Sequence, residues 1–270
     1  MSADVFTLSR GTTPLVLSLP HVGTLIPDPH RGHYVPRALA MEDTDWHLTR
    51  LYAFAAQMGA SVIAATHSRY LIDLNRPPDD APMYPGAANT ELCPTKFFSG
   101  EPLYREGCEP AAAEIERRRV KYWWPYHLAL RAELDRVRAK HGYVLHWDGH
   151  SIRSRIPWLF EGTLPDLNLG TASGASCSAR IATGLIDILK QQTEFTYVLD
   201  GRFKGGYTTR YYGRPNEGFH TIQMEMAQSC YMDESPPFAY DELKAERVAK
   251  LLQALLRSAM LLTRAASERE

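Results

Sequence analysis

The chain has 270 residues, enough to bury a full hydrophobic core in one large domain or two small ones. Thirty basic residues stand against 31 acidic ones, so a net charge of −1 offers no global field to recruit nucleic acid or an anionic membrane. No stretch approaches the roughly 18 uninterrupted apolar residues of a membrane span, and the N-terminal residues lack the basic and apolar runs of a secretory signal.

The run Leu15-Val-Leu-Ser-Leu19 is apolar and bounded by Pro14 and Pro20, which predicts a short buried strand that delivers His21 to its end. Residues 43–58 predict a helix capped by Asp43 or Thr44, with Trp46, Leu51, Phe54 and Met58 near one face. Ser61 to Thr66 is β-branched and apolar enough to be the next strand, and Arg69 and Asp73-Leu-Asn-Arg76 follow it. Residues 77–107 hold many Pro, Gly and Asn residues and little periodicity; a long irregular excursion of this kind more often serves a site than fills space.

Residues 110–140 have a helical composition that Pro125 should break or kink, with Arg117-Arg-Arg119 as a solvated face. Tyr143 to Asp148 predicts a strand that ends at His150. Residues 178–191 predict a helix, 195–199 and 221–226 two further strands, and 241–263 a closing amphipathic helix. Strands alternating with helices point to an α/β fold with a mostly parallel or mixed sheet, and we expect one domain over residues 1–270. The scattered Cys93, Cys108, Cys177 and Cys230 form no Cys-x-x-Cys pair, which suits a reducing compartment.

Ligands of open α/β sheets gather at strand ends, and His21, Arg69, Asn75, Arg76 and His150 all fall just past predicted strands. A catalytic zinc site takes three protein ligands, His and carboxylate among them, and keeps a position open. His21 and His150 are the nitrogen candidates. The third ligand is to be chosen from Glu42, Asp43, Asp45, His47 and Asp148. Asp148 could instead orient a ligand histidine, and Asp45, at a helix start whose cap is already filled, is the favoured choice.

A base is also needed to move a proton from water to a leaving amine, and Glu225, an acid within the run Gly218 to Ala227, is the candidate. Arg69 would polarise the scissile carbonyl. Asn75 and Arg76 pair a neutral donor with a planar cation, a combination suited to gripping a small carboxylate. The run Gly205 to Gly213 reads either as a glycine turn between strands or as a mobile loop whose Thr209 and Arg210 contact substrate. Asp73 is given no part in the chemistry.

In order and wording, several segments resemble the N-formylglutamate amidohydrolase family: Pro20-His-Val-Gly23, Asp43-Thr-Asp-Trp-His47, Ser68 to Arg76, Tyr122-Trp-x-Pro-Tyr-His127, Asp148-Gly-His-Ser-Ile152, Phe203 to Gly213 and Gln223-Met-Glu-Met226. The resemblance runs from about Leu15 to Tyr231. It implies hydrolysis of N-formyl-L-glutamate to glutamate and formate, metal dependence, a place in histidine breakdown and a cytoplasmic setting, with a small-molecule substrate as partner and the oligomeric state left open.

More distantly, the chain is similar to the zinc carboxypeptidases and aspartoacylase. That similarity implies a three-layer α/β/α fold around a mixed, mostly parallel sheet, and zinc as cofactor, with cobalt or manganese as alternatives. It carries metal ligation onto His21 and His150, carbonyl polarisation onto Arg69, a carboxylate grip onto Asn75 and Arg76, and the base onto Glu225. The chain departs from that group at Thr24, where a glutamate ligand would stand three residues after His21, so the carboxylate must come from elsewhere.

Glutamate carries two carboxylates, so a second grip is expected, from Arg153 or Arg210. The rival readings are a hydrolase of another N-acyl amino acid or small amide, and a non-catalytic binder of acidic amino acids. A binder would need neither His21 nor Glu225.

Overall fold

The computed structural model describes residues 4–83 and 89–267. Among the described residues seven strands are formed: β1 (Phe6–Ser9), β2 (Leu15–Leu19), β3 (Ser61–Ala65), β4 (Val144–Ile152), β5 (Leu167–Gly170), β6 (Tyr197–Leu199) and β7 (Phe219–Ala227). They make one sheet in the order β1-β3-β2-β4-β7-β5-β6. The central strands β3, β2, β4 and β7 are parallel, β6 runs parallel to β5, and β1 and β5 pair antiparallel to β3 and β7. The sheet is therefore mixed and mostly parallel, as expected.

The helices are α1 (Asp28–Arg31), α2 (Leu48–Leu51), α3 (Phe54–Gln57), α4 (Ala112–Arg118), α5 (Trp124–His141), α6 (Ala179–Leu189), α7 (Tyr207–Tyr212) and α8 (Glu242–Ser267). Side chains alternate across a strand, so each strand serves both faces of the sheet. On one face Leu15, Leu17, Trp147, Ile222 and Met224 pack with Ile181 and Leu185 of α6 and with Val248, Leu252 and Leu255 of α8. On the other, Val16, Ile63, Val144 and Phe219 meet Tyr126, Leu130, Leu134 and Val137 of α5. Among the described residues no helix is long and apolar enough to cross a membrane.

The register then decides what lies beyond the apolar half of that second face. Strand β4 pairs with β7 so that His146 stands opposite Thr221, Asp148 opposite Gln223 and His150 opposite Glu225, while Ser18 of β2 stands opposite Asp148. All seven are buried, so a polar row runs inside the molecule towards the C-terminal ends of the parallel strands. Such groups are tolerated because they pair with one another: Ser18 Oγ donates to Asp148 at 2.6 Å and lies 2.8 Å from His146 Nε2.

Several local expectations are corrected. The helix predicted over 43–58 forms only as the short α2 and α3, after His47 takes a left-handed φ of 62°. Asp43 caps neither; its carboxylate accepts from Tyr70 Oη and Phe98 N at 2.9 Å and from Arg153 at 2.8 Å. Pro125 falls in the first turn of α5, and a five-residue π-helical stretch, Arg119–Trp123, joins α4 to α5 without a break.

Arg118 is not solvated: it is buried and donates to Leu71 O and Tyr104 Oη. Strand β4 extends to Ile152, so His150 lies within it rather than past its end. Of the predicted excursion over 77–107, residues 84–88 lie outside the described residues and the rest is irregular.

Candidate active site

Three expected ligands meet at one point. His21 follows β2, Asp45 sits before α2 and His150 is in β4, and one ligand atom from each lies within 4.8 Å of the others. The converging atoms are the two Nδ1 nitrogens, 3.2 Å apart, and Asp45 Oδ2, 3.7 Å from His21 and 3.2 Å from His150. Asp45 N donates to His21 O at 3.1 Å and Ser151 N to Asp45 Oδ2 at 3.2 Å, so the backbone ties the three segments together.

Each imidazole is held from behind. His21 Nε2 lies 2.7 Å from Asp73 Oδ1, and His150 Nε2 lies 3.1 Å from Asp148 Oδ2. On His21, the Asp73 carboxylate at Nε2 favours the tautomer that turns the Nδ1 lone pair forward. Burial disfavours charge on Asp45, yet His150 and His21 outweigh it and keep the carboxyl below its usual range.

Asp45 Oδ1 is buried without a hydrogen-bond partner, and the Arg69 guanidinium lies 3.7 Å from it as a counter-charge. Two nitrogens, one carboxylate and supported rings are a donor set that fits a divalent metal. The chosen third ligand thus stands with the histidines. Glu42, Asp43 and His47 stand outside the converging group, and Asp148 takes the orienting role.

Glu225, on the strand beside His150, is 7% exposed and lines the same cavity as His21, His150 and Arg69. Burial pushes its pKa up to about 8; the neighbouring His150 and Arg69 pull the other way and Asp45 adds to the rise. A carboxyl poised near neutrality can both take and return a proton. Gln223 Nε2 lies 3.3 Å from Glu225 Oε2, and Gln223 Oε1 accepts from Gly206 N at 2.8 Å.

Arg69 donates to Asp73 at 2.7 Å, lies 3.7 Å from Asp45 Oδ1 and stacks 4.5 Å over the Phe98 ring. Asp73, left out of the chemistry by the sequence reading, is the hub: its Oδ1 also accepts from Asn75 N at 2.8 Å. Burial opposes its ionisation, but His21 and Arg69 hold its pKa well below the ordinary carboxylate range. A fully buried aspartate must be paired, and its setting in Leu71-Ile-Asp-Leu74 was the available signal.

The remaining predicted residues divide. Asn75 and Arg76 line the cavity. Asn75 Nδ2 lies 3.1 Å from His150 Nε2 and its Oδ1 accepts from Thr208 N at 2.9 Å, while Arg76 is braced by Thr90 and by Asn75 O. Thr209 is buried in α7 and Arg210 donates to Gly205 O and Met83 O. Arg153 is engaged by Asp43 and lies 3.7 Å from Glu42. These three are not among the cavity-lining residues. The Gly205–Gly213 run is a braced helix start rather than a mobile loop, and a Cβ on Gly206 would come within 2.3 Å of Asn75 Nδ2. Arg202, which the sequence reading passed over, does line the cavity.

The chain is similar to known proteins over most of its length. Residues 13–232 match the model of the N-formylglutamate amidohydrolase family. The chain is 49% identical over 254 residues to an N-formylglutamate deformylase of Pseudomonas putida, covering 94% of this chain and 95% of that protein. It is 48% identical over 255 residues to one of Pseudomonas aeruginosa, covering 94% and 96%. The solved N-formylglutamate amidohydrolase of Ralstonia eutropha JMP134 superposes with a TM-score of 0.76 at 27% identity, covering 98% and 97% of the two chains. The gene product Atu2144 of Agrobacterium tumefaciens, at 15% identity and a TM-score of 0.71 over 95% of each chain, shares the fold.

Proposed function

The chain belongs to the N-formylglutamate amidohydrolase family, and from that premise we propose that it hydrolyses N-formyl-L-glutamate to L-glutamate and formate. The observation that carries this reading is Glu225 facing His150 across neighbouring strands, at a point where His21 and Asp45 also converge. His21, Asp45 and His150 would hold the metal, which we take to be zinc, a role cobalt or manganese could also fill. When bound, such an ion supplies Lewis acidity and lowers the pKa of water.

Glu225 takes a proton from the attacking water as its oxygen bonds to the formyl carbon. It returns that proton to the glutamate nitrogen as the C–N bond breaks. Arg69 donates to the formyl oxygen as charge develops there, its position fixed beforehand by Asp73 and Phe98. Asn75 and Arg76 hold a carboxylate of the substrate. In this reading residues 1–270 form one catalytic domain that acts in histidine breakdown in the cytoplasm.

Product release from N-formyl-L-glutamate, N-acetyl-L-glutamate and N-formyl-L-aspartate tests the proposal. The first should give formate with the highest kcat/KM. Faster release of acetate would assign another acyl group, and affinity without product would make the chain a binder.

A further inference from the structure

The proposed substrate carries two carboxylates, and the cations within reach of the cavity can be read from its lining. Among the described residues these are Arg69, Arg76 and Arg202. Arg69 is committed to Asp73 and stands beside Asp45, where it serves the carbonyl. Asn75 touches His150 and so sits at the scissile end of the cavity, and Arg76, the next residue, lines the same cavity. In an N-formyl amino acid the α-carboxylate is bonded to the carbon that bears the amide nitrogen, and it must lie near that end. The side-chain carboxylate of glutamate is two methylene groups further away.

Arg202 reaches the cavity from a different segment, the turn between β6 and α7. Its turn is pinned on both sides of it: Thr171 N donates to Asp200 Oδ1 at 2.7 Å and Ala172 N to Lys204 O at 2.6 Å. Asp200 takes the left-handed conformation, φ 49°, that such a tight turn needs. Arg202 Nε donates to Leu159 O at 3.0 Å, and the guanidinium lies 5.2 Å from the Phe203 ring, itself packed edge-on against Phe160 at 6.1 Å. The cation is thus presented to the cavity by a rigid frame, the condition for a specific carboxylate grip.

Resting on the proposed function, we infer that Arg202 binds the side-chain carboxylate of the substrate and sets the preference for acidic N-formyl amino acids, while Asn75 and Arg76 take the α-carboxylate. N-formyl-L-glutamine has the shape of the substrate without the distal charge, so it separates the two grips. Measured with both compounds, Arg202→Met should lower kcat/KM for the acid by about 100-fold, mainly through KM, as removal of one partner of a desolvated charge pair does. The loss on the amide should be at least about tenfold smaller, so that the preference for the acid collapses.

Arg202→Lys keeps the charge without the planar fork and should retain an intermediate preference. Equal losses on the two compounds, or an undiminished preference in either variant, would overturn the assignment. If the wild-type protein released no formate from N-formyl-L-glutamate, the proposed function would fail instead, which keeps the two outcomes apart.

Discussion

Replacing Asp73 by asparagine tests whether the charge behind His21 matters as the geometry requires. The side chain is fully buried and accepts three hydrogen bonds: His21 Nε2 at 2.7 Å and Asn75 N at 2.8 Å on Oδ1, and Arg69 at 2.7 Å on Oδ2. An amide of the same shape has one acceptor oxygen. Placed to serve His21 and Asn75, it turns its NH2 group towards the Arg69 guanidinium, donor against donor. The opposite orientation sets NH2 against two N–H groups and is worse.

The first arrangement is therefore expected. It preserves the shape of the site, removes the negative charge behind the His21 imidazole and leaves Arg69 with Asp45 as its nearer carboxylate partner. Loss of a group that orients a metal ligand typically lowers affinity about 10–100-fold, or roughly 1.4–2.7 kcal/mol. Breaking the buried pair with Arg69 should also cost about 3 kcal/mol of folding stability. Competition with a chromophoric chelator measures zinc affinity, and urea titration measures stability. Zinc affinity within twofold of wild type would refute the role given to Asp73.

Glu225→Gln keeps the shape of the base and removes its proton chemistry, so turnover should fall by at least about 100-fold while metal content stays at the wild-type level; near-normal kcat would remove Glu225 from the reaction. Gly206→Ala places a Cβ within 2.3 Å of Asn75 Nδ2 and should displace it, lowering kcat/KM by about tenfold or more with little loss of fold; an unchanged KM would argue against a grip at Asn75. Burial holds the His127 pKa at about 3 and the His146 pKa at about 4, against 6.5 in an unfolded chain. As pH falls below 6.5 the unfolded state takes up protons that the folded state refuses. This stabilisation is complete above pH 6.5 and is lost towards about pH 4 for His146 and about pH 3 for His127, at about 1.4 kcal/mol per pH unit for each. Urea titrations between pH 7 and 5 should show that decline, and His127→Asn should reduce its slope.

Much of the fold is legible because strands β2 and β3 are apolar runs, β7 alternates apolar with polar residues, and α6 and α8 carry one apolar stripe each. The C-terminal half of β4 is harder to read. Its His146, Asp148 and His150 look like a strand running out into a loop, and they are buried only because Ser18, Thr221 and Glu225 on neighbouring strands give them polar company. Strand β1 is a half-buried edge of four residues, too short for its alternation to stand out.

At the site, the histidines, Glu225 and Arg69 could be placed because their side chains carry recognisable chemistry at strand ends. Asp45 was one of several carboxylates, and it is singled out by its backbone link to His21 O and by the approach of its Oδ2 to both imidazoles. Asp73 stands 52 residues from the imidazole that it supports, a pairing that no local pattern reveals. Arg202 belongs to a turn whose rigidity depends on Thr171 and Leu159. Arg153 was equally plausible as a grip until Asp43 was found to hold it.

The central claim is that hydrolysis depends on a metal held by His21, Asp45 and His150. Its most direct test is formate release from N-formyl-L-glutamate as stripped protein is titrated with zinc. Activity should vanish on stripping and return in proportion to zinc up to one ion per chain, and His21→Ala and Asp45→Ala should neither bind the ion nor recover. Full activity in metal-stripped protein, or stoichiometric zinc in both variants, would contradict the account.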